Sequence, residues 1–136
     1  MQFFKNAFLL FFVVFSFVIS LKAQDSITTK TQKGKAKIQY GVASFYANKF
    51  QGRKTANGEI FNHQKLTAAH NSLPLGTYVR VTNLRNKKTV IVKINDRLHH
   101  RNKRLIDLTK TAAQKLGFIK SGLTRVKLEV LGKKPV

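Results

Sequence analysis

Cysteine is absent from the whole 136-residue chain. That excludes a disulfide staple, a thiolate metal site and a lipid anchor on an N-terminal cysteine, so the fold must rest on a packed, hydrogen-bonded core. Carboxylates are nearly as scarce: five Asp and Glu face 26 Lys and Arg, a formal charge of +21. A field of that size draws polyanions toward the protein, although charge alone does not name the partner. The chain contains no internal repeat, no Gly-rich phosphate loop and no serine nucleophile elbow.

What is present at the N-terminus is a long apolar run. Ala7 to Ile19 is interrupted only by Ser16, is preceded by Lys5, and is followed by Ala23 at a cleavage site that leaves Gln24 first. Charged, apolar and small-residue segments in that order form a secretory signal. The competing reading is a retained anchor, but a spanning helix needs about 20 apolar residues and this run is shorter. The chain is therefore expected to be exported to the periplasm or cell exterior as a soluble monomer, without a stable membrane anchor. Seven of the eleven Phe precede residue 20, so the mature chain is not rich in aromatics. It keeps 113 residues, enough for one domain and too few for two. Lys5 and Lys22 leave with the signal, and 24 basic residues against five acids give the mature chain +19. Outside the cytoplasm such a field meets anionic lipid head groups and cell-wall polymers; the plainer alternative is a solvated Lys and Arg surface.

Four segments follow: the signal (1–23), a flexible basic lead-in (24–38), a folded domain (39–131) and a short tail (132–136). The lead-in is polar, with Lys30, Lys33, Lys35 and Lys37 and no apolar period. Within the domain Val79 and Val81 alternate with Arg80 and Thr82. Val90, Val92 and Ile94 alternate with Ile91, Lys93 and Asn95, and Val126, Leu128 and Val130 with Arg125, Lys127 and Glu129. A period of two with one apolar face predicts half-buried strands. Leu84 to Lys88 fits a hairpin connection between the Val79 and Val90 runs. One helix is predicted, capped by Thr109, buried through Ala112, Ala113 and Leu116, and ended by Gly117. Short strands with one helix predict a mainly β domain, closed into a small barrel because closure removes exposed strand edges.

With so few acids, each can be weighed. Asp25 lies in the lead-in, and Glu129 on the polar phase of the last strand reads as a solvated strand face. Glu59 follows the tight-turn dipeptide Asn57-Gly58, which aims the next side chain in a fixed direction; the alternative is an exposed glutamate at a strand start. Asp96 ends the Val90–Asn95 strand, a good place for a reactive group at a barrel mouth; the alternative is a turn aspartate bonded to its own backbone. Asp107 stands just before the helix, where a favourable charge at the helix N-terminus is the preferred reading. His70, in Leu66-Thr-Ala-Ala-His70, is weak evidence by itself. His99 and His100 are flanked by Arg97, Arg101, Lys103 and Arg104, a poor setting for a metal, which needs neutral imidazoles and usually carboxylate or thiolate support. No metal site and no cofactor are expected.

Seven ordered segments resemble a known family: Gly41-Val-Ala-Ser-Phe-Tyr46, Gly52-Arg-Lys-Thr-Ala-Asn-Gly-Glu59, Leu66-Thr-Ala-Ala-His70, Leu73-Pro-Leu-Gly-Thr77, Val79-Arg-Val-Thr-Asn83, Ile94-Asn-Asp-Arg97 and Ile106-Asp-Leu-Thr109. They are similar to rare lipoprotein A, the septal-ring-associated lytic transglycosylases, over Tyr40 to Leu131. The resemblance implies a six-stranded double-psi β-barrel with one or two short helices, and a cleft lined by Glu59, His70 and Asp96. It implies non-hydrolytic cleavage of peptidoglycan glycan strands between N-acetylmuramic acid and N-acetylglucosamine, leaving a 1,6-anhydro end. Protonated Asp96 would donate to the glycosidic oxygen; the resulting carboxylate, or Glu59, would accept the proton of the muramoyl 6-hydroxyl, and His70 would orient a carboxylate or the sugar. Tyr46, Phe50 and Phe61 would stack on sugar rings, with Arg53, Asn57, Asn95 and Arg97 as further substrate contacts.

Three departures from the family stand out. Leu98-His99 follows Asp96-Arg97 where the family has Gly-Pro, the lipid-attachment cysteine is missing, and only Gly132 to Val136 follow Leu131. A non-catalytic, expansin-like polysaccharide-binding barrel is the alternative function. A basic binder of polyanions, nucleic acid or acidic polysaccharide, is a third; export and the absence of a nucleic-acid motif count against it.

Overall fold

A computed structural model describes residues 37–134. The signal (1–23), nearly all of the lead-in and the last two residues of the tail lie outside the described residues. Six strands are ordered along the chain: β1 (Ile38–Phe45), β2 (Thr67–Ala69), β3 (Tyr78–Asn83), β4 (Thr89–Asp96), β5 (Ile106–Leu108) and β6 (Thr124–Gly132). A 3₁₀ turn (Asn48–Phe50) follows β1, and one helix, α1 (Lys110–Leu116), follows β5. The strands close into a barrel in the order β1-β5-β2-β4-β3-β6, with β1 and β6 sealing it. The β1–β5 and β2–β4 pairs are parallel, and the other four are antiparallel.

The period-two runs are the long strands. Val79 and Val81 of β3, Val90, Val92 and Ile94 of β4, and Val126 and Leu128 of β6 all belong to one buried core. Leu84 to Lys88 connects β3 to β4 as expected, with Lys87 in the left-handed region (φ 64°). β2 and β5 carry no such signal. Each is three residues long and buried throughout, Thr-Ala-Ala and Ile-Asp-Leu, so no polar phase marks a face. The folded domain is slightly longer than its expected 39–131: β1 begins at Ile38, Lys37 already accepts a hydrogen bond from the Val130 amide, and β6 runs into Gly132.

Helix α1 covers one side of the barrel. Ala112, Ala113 and Leu116 are its buried stripe, and Gly117, at φ 74°, ends it in the left-handed conformation that glycine adopts most readily. Buried Asn83 ties it down, donating to the Leu116 carbonyl at 2.9 Å while accepting from Thr124 at 2.9 Å. At the other end the fully buried Thr109 hydroxyl accepts from the Ala112 amide at 3.4 Å and donates to the Lys65 carbonyl at 2.5 Å.

Thr109 therefore satisfies two backbone groups at once. Thr109→Ala is expected to destabilise the protein by about 2 kcal/mol, the upper end of a cap deletion, because the Lys65 carbonyl is left without its donor. Thr109→Ser, which keeps the hydroxyl, should recover most of that loss in a urea-unfolding midpoint.

Candidate active site

The ends of β1, β2 and β4 meet β5 at one mouth of the barrel, where a cleft of about 680 Å³ opens. Of the residues predicted from sequence, Asp96, Tyr46, Phe50, Arg53, Phe61 and Arg97 line it. Glu59, His70, Asn57 and Asn95 are not among its lining residues.

Asp96 is placed by an irregularity at the end of β4. Val90, Val92 and Ile94 point into the core, and a register shift against β2 pairs Ala68 with Ile94 but Ala69 with Asp96, so that Ala69 and Asp96 both line the cleft. Its carboxylate is held by two uncharged donors. The Tyr46 hydroxyl, at the end of β1, donates to Oδ2 at 2.5 Å, and the Ala56 amide donates to Oδ1 at 2.9 Å. Burial first, and then the bond to Asp96, push the Tyr46 pKa up, so its hydroxyl stays protonated. The Tyr46 ring leans on Phe61 (centroids 4.4 Å apart) and on Phe50 (5.5 Å). Phe61 is only 2 % exposed, so it supports Tyr46 and offers little face to a sugar. Phe50 is half-buried, with the Arg53 guanidinium 5.4 Å from its ring centroid.

Glu59 lies on the other face of β4. Lys93 and Asn95, one residue out of phase with the core row, both reach it: Lys93 forms a short ion pair with Oε1, and Asn95 donates to Oε2 at 3.2 Å. Asn57 donates to Oε1 at 2.8 Å. These donors, Lys93 foremost and against a smaller opposing effect of burial, hold the Glu59 pKa down at about 2. The hairpin around Glu59 is tight. The Thr55 amide donates to the Glu59 carbonyl at 2.8 Å, the Gly58 amide to Thr55 at 3.0 Å, and Gly58 supplies the required positive φ of 88°. The Asn57 amide docks on the Asn95 carbonyl at 3.1 Å. Glu59 thus clamps the loop whose Ala56 amide reaches Asp96, and acts on the cleft through that loop. Asn95, expected on the exposed phase of its strand, is 2 % exposed because this loop covers it.

His70 also serves the frame. Its Nδ1 accepts from the amides of Ser72 (3.1 Å) and Leu73 (3.2 Å), so the ring proton sits on Nε2, which donates to Gln39 at 2.8 Å. The ring is 3 % exposed, and burial, with the Arg97 and Lys37 charges nearby, pushes its pKa down to about 4. The His70 backbone, not its ring, touches the Asp96 segment: its amide donates to the Asp96 carbonyl (3.1 Å), and its carbonyl accepts from Arg97 (2.6 Å).

The carboxylate given a helix-terminal role, Asp107, is instead part of the cleft wall. It accepts from Ser44 at 2.6 Å and from Arg104 twice, at 2.9 and 3.0 Å, while Thr109 caps the helix. Its position inside a three-residue buried strand left no periodic signal to find it by. Of the four described acids, Glu59 pairs with Lys93, Asp107 with Arg104, and Glu129 with Arg80 and Lys127; Asp96 alone has no cationic partner among the described residues. Among those residues no group of three or more His, Asp or Glu is placed to hold a metal ion.

Residues 38–128 match the family model described as lytic transglycolase. The endolytic peptidoglycan transglycosylase RlpA of Haemophilus influenzae is 46% identical over 112 residues, covering 82% of this chain and 39% of that protein. The probable endolytic peptidoglycan transglycosylase RlpA of Nostoc sp. is 55% identical over 95 residues, covering 68% of this chain and 26% of that protein. The chain therefore spans less than half the length of these relatives. Among solved structures, the apo expansin of Clavibacter michiganensis superposes with a TM-score of 0.59 at 22% identity, over 74% of this chain and 53% of that one. The Streptomyces papain inhibitor does so with a TM-score of 0.57 at 19% identity, over 69% and 94%. Likeness at such identity shows a shared barrel and nothing of activity.

The buried, neutral His70 sets a pH dependence of stability. Its folded pKa, about 4, lies below the unfolded value of about 6.5, so between these limits only the unfolded chain binds the proton. Stability from this residue is complete above pH 6.5 and is lost as pH falls toward 4, by an amount on the order of 2–3 kcal/mol. His70→Gln should flatten the pH 4–6.5 limb of a thermal-unfolding profile; an unchanged slope would show that His70 is not its source.

Proposed function

Because this chain belongs to the lytic transglycolase family of double-psi β-barrels, we propose that it is an endolytic peptidoglycan lytic transglycosylase. It acts on the bond from N-acetylmuramic acid to N-acetylglucosamine and leaves a 1,6-anhydro end. The observation that carries the proposal is Asp96, a carboxylate open to the cleft and held by two neutral donors, in a protein whose other described acids are each paired with a cation. The charged, apolar and small-residue order of residues 1–23 supports action outside the cytoplasm, where the polymer lies.

The geometry favours one carboxylate for both proton transfers. The protonated Asp96 carboxyl gives its proton to the glycosidic oxygen as the bond to the muramoyl C1 breaks. The sugar becomes oxocarbenium-like, and the released chain leaves with a hydroxyl. The muramoyl 6-hydroxyl then attacks C1, and its proton returns to the Asp96 carboxylate. No water is consumed, so no second carboxylate is needed to activate one. The Tyr46 hydroxyl and Ala56 amide stabilise the carboxylate between the two steps, and its remaining lone pairs are free to take the proton. Glu59, ionised, paired with Lys93 and outside the cleft, is a poor proton carrier; its part is to hold the Thr55–Gly58 turn.

The test is mass spectrometry of soluble products after incubation with purified peptidoglycan. Wild type should release anhydro-ended fragments. Asp96→Asn should lower the rate by about 10²-fold or more, with fold and wall binding intact. Wall binding without products from the folded wild type would leave a binding barrel and sink the enzymatic reading.

Two further variants separate the roles. Tyr46→Phe keeps the ring packing and loses one donor to a charged group, so it should cost about 10- to 100-fold in rate. Glu59→Gln should slow turnover without moving either limb of the pH–rate profile; a displaced limb would make Glu59 a proton carrier after all.

A further inference from the structure

Away from the cleft, a hollow of about 360 Å³ opens between the β3–β4 connection and the loop that joins α1 to β6. Arg85, Asn86, Lys120 and Ser121 are among its lining residues, and it shares no residue with the cleft. The β3–β4 connection enters β4 at Thr89, and Asp96 stands at the other end of that strand. The two connections are tied to each other. The Leu84 amide donates to the Arg125 carbonyl at 3.0 Å, and the side-chain amides of Asn83 and Asn86 both donate to the Leu116 carbonyl at 2.9 Å. Lys88 reaches the same place, since its Nζ would stand 3.6 Å from a Cβ at Gly117.

Two observations single out this surface. The first is its sign. Arg85, Lys87, Lys88, Lys120 and Arg125 are exposed, and none has an ion-pair partner among the described residues. Neither connection carries an acid. Cations beside a helix C-terminus often serve its free carbonyls, but here that need is met. Asn83 and Asn86 satisfy Leu116, and the Gly117 and Phe118 amides donate to Gln114 and Ala113. The second observation is Leu123. It is 51 % exposed, whereas Phe118 of the same loop is buried and Ile119 packs against the core. The loop around it is fixed: the Ser121 hydroxyl donates to the Leu123 carbonyl at 2.9 Å, and the Gly122 amide to the Phe118 carbonyl at 2.9 Å.

We propose that this end of the barrel docks on an anionic lipid surface. The cations meet head-group phosphates, and Leu123 enters the boundary between head groups and acyl chains. An acidic polymer strand would engage the cations alone and would gain nothing from Leu123. Docking of this kind is peripheral and reversible by salt, because its attraction is mainly electrostatic. It does not depend on the chemistry at Asp96, and it leaves the cleft uncovered.

The test uses residues 24–136, which keep every described residue and omit the apolar run that would itself enter a bilayer. Binding is measured to phosphatidylcholine vesicles with and without phosphatidylglycerol, and to soluble polyphosphate. Each Lys or Arg close to an anionic leaflet strengthens binding about fivefold. Joint replacement of Arg85, Lys87, Lys120 and Arg125 by Gln should therefore weaken binding to the anionic vesicles about 30-fold or more. The same loss of charge through Gln at Lys49, Lys65, Arg101 and Lys103 should weaken it by no more than about threefold. Leu123→Ser should cost about threefold on vesicles and nothing on polyphosphate. All these side chains are exposed, and unchanged thermal midpoints will show that the fold is kept. Equal losses in the two charge-matched variants would trace binding to net charge and overturn the proposal. Vesicle binding indifferent to Leu123→Ser would make the surface one for acidic polymers and overturn it too, as would equal binding to neutral and anionic vesicles.

Discussion

Strand β4 keeps apart two carboxylates that lie close in the fold, and a register shift against β2 between Ile94 and Asp96 sets its last residue at the cleft. On one face Lys93 and Asn95 bind Glu59 and fold the Thr55–Gly58 turn down onto the strand. Val92 and Ile94 point into the core, and past the register shift Asp96 stands at the barrel mouth. The Ala56 amide of the same turn donates to the Asp96 carboxylate. Closure of the barrel brings up the last partner. Register across the neighbouring strands, Ser44 with Asp107, Asp107 with Ala69 and Ala69 with Asp96, sets the last residues of β1 and β4 at the same mouth, so Tyr46 meets Asp96 across 50 residues of sequence. A flat sheet with the same strands would leave these groups apart.

The electrostatic organisation follows from scarcity. In a chain of +21 nearly any carboxylate finds a cation, and Glu59, Asp107 and Glu129 have done so. For Glu59 the Lys93 partner holds the carboxylate ionised, which suits a clamp and not an acid. Asp96 is kept out of that pattern by what surrounds it: a phenol, a backbone amide and the end of an apolar row. The surplus of Lys and Arg is not spread evenly either. Arg97, Arg101, Lys103 and Arg104 cluster in the segment between β4 and β5, where Arg97 and Arg104 line the cleft.

Where the sequence carried a local signal, the structure agrees with it. The β3, β4 and β6 strands were legible because each has one buried and one exposed face, and α1 because Thr109 and Gly117 punctuate it. Asp96 was legible as a strand-end residue at a mouth. Less was visible where burial is two-sided or partners are remote. The three-residue strands β2 and β5 show no period, and with β5 went the place of Asp107 in the cleft wall. Glu59 and His70 were placed in the cleft through the resemblance. Their side chains face Lys93 and Gln39 instead, because the pleat of β4 and the amides of Ser72 and Leu73 turn them there.

By itself the sequence determined the period of the long strands, the capped helix, the excess of positive charge, and a tight turn ahead of Glu59. All of these depend on neighbours within a few residues or on composition alone. Tertiary structure decided which carboxylate is open and which is clamped, that Tyr46 is a donor to Asp96 as well as an aromatic wall, and that Asp107 belongs to the cleft. Those properties depend on hydrogen bonds spanning from 34 to 63 residues along the chain, as in Lys93–Glu59, Tyr46–Asp96 and Ser44–Asp107. Such distances carry no local pattern, and only the pairing of strands and the docking of the Thr55–Gly58 turn on β4 set them.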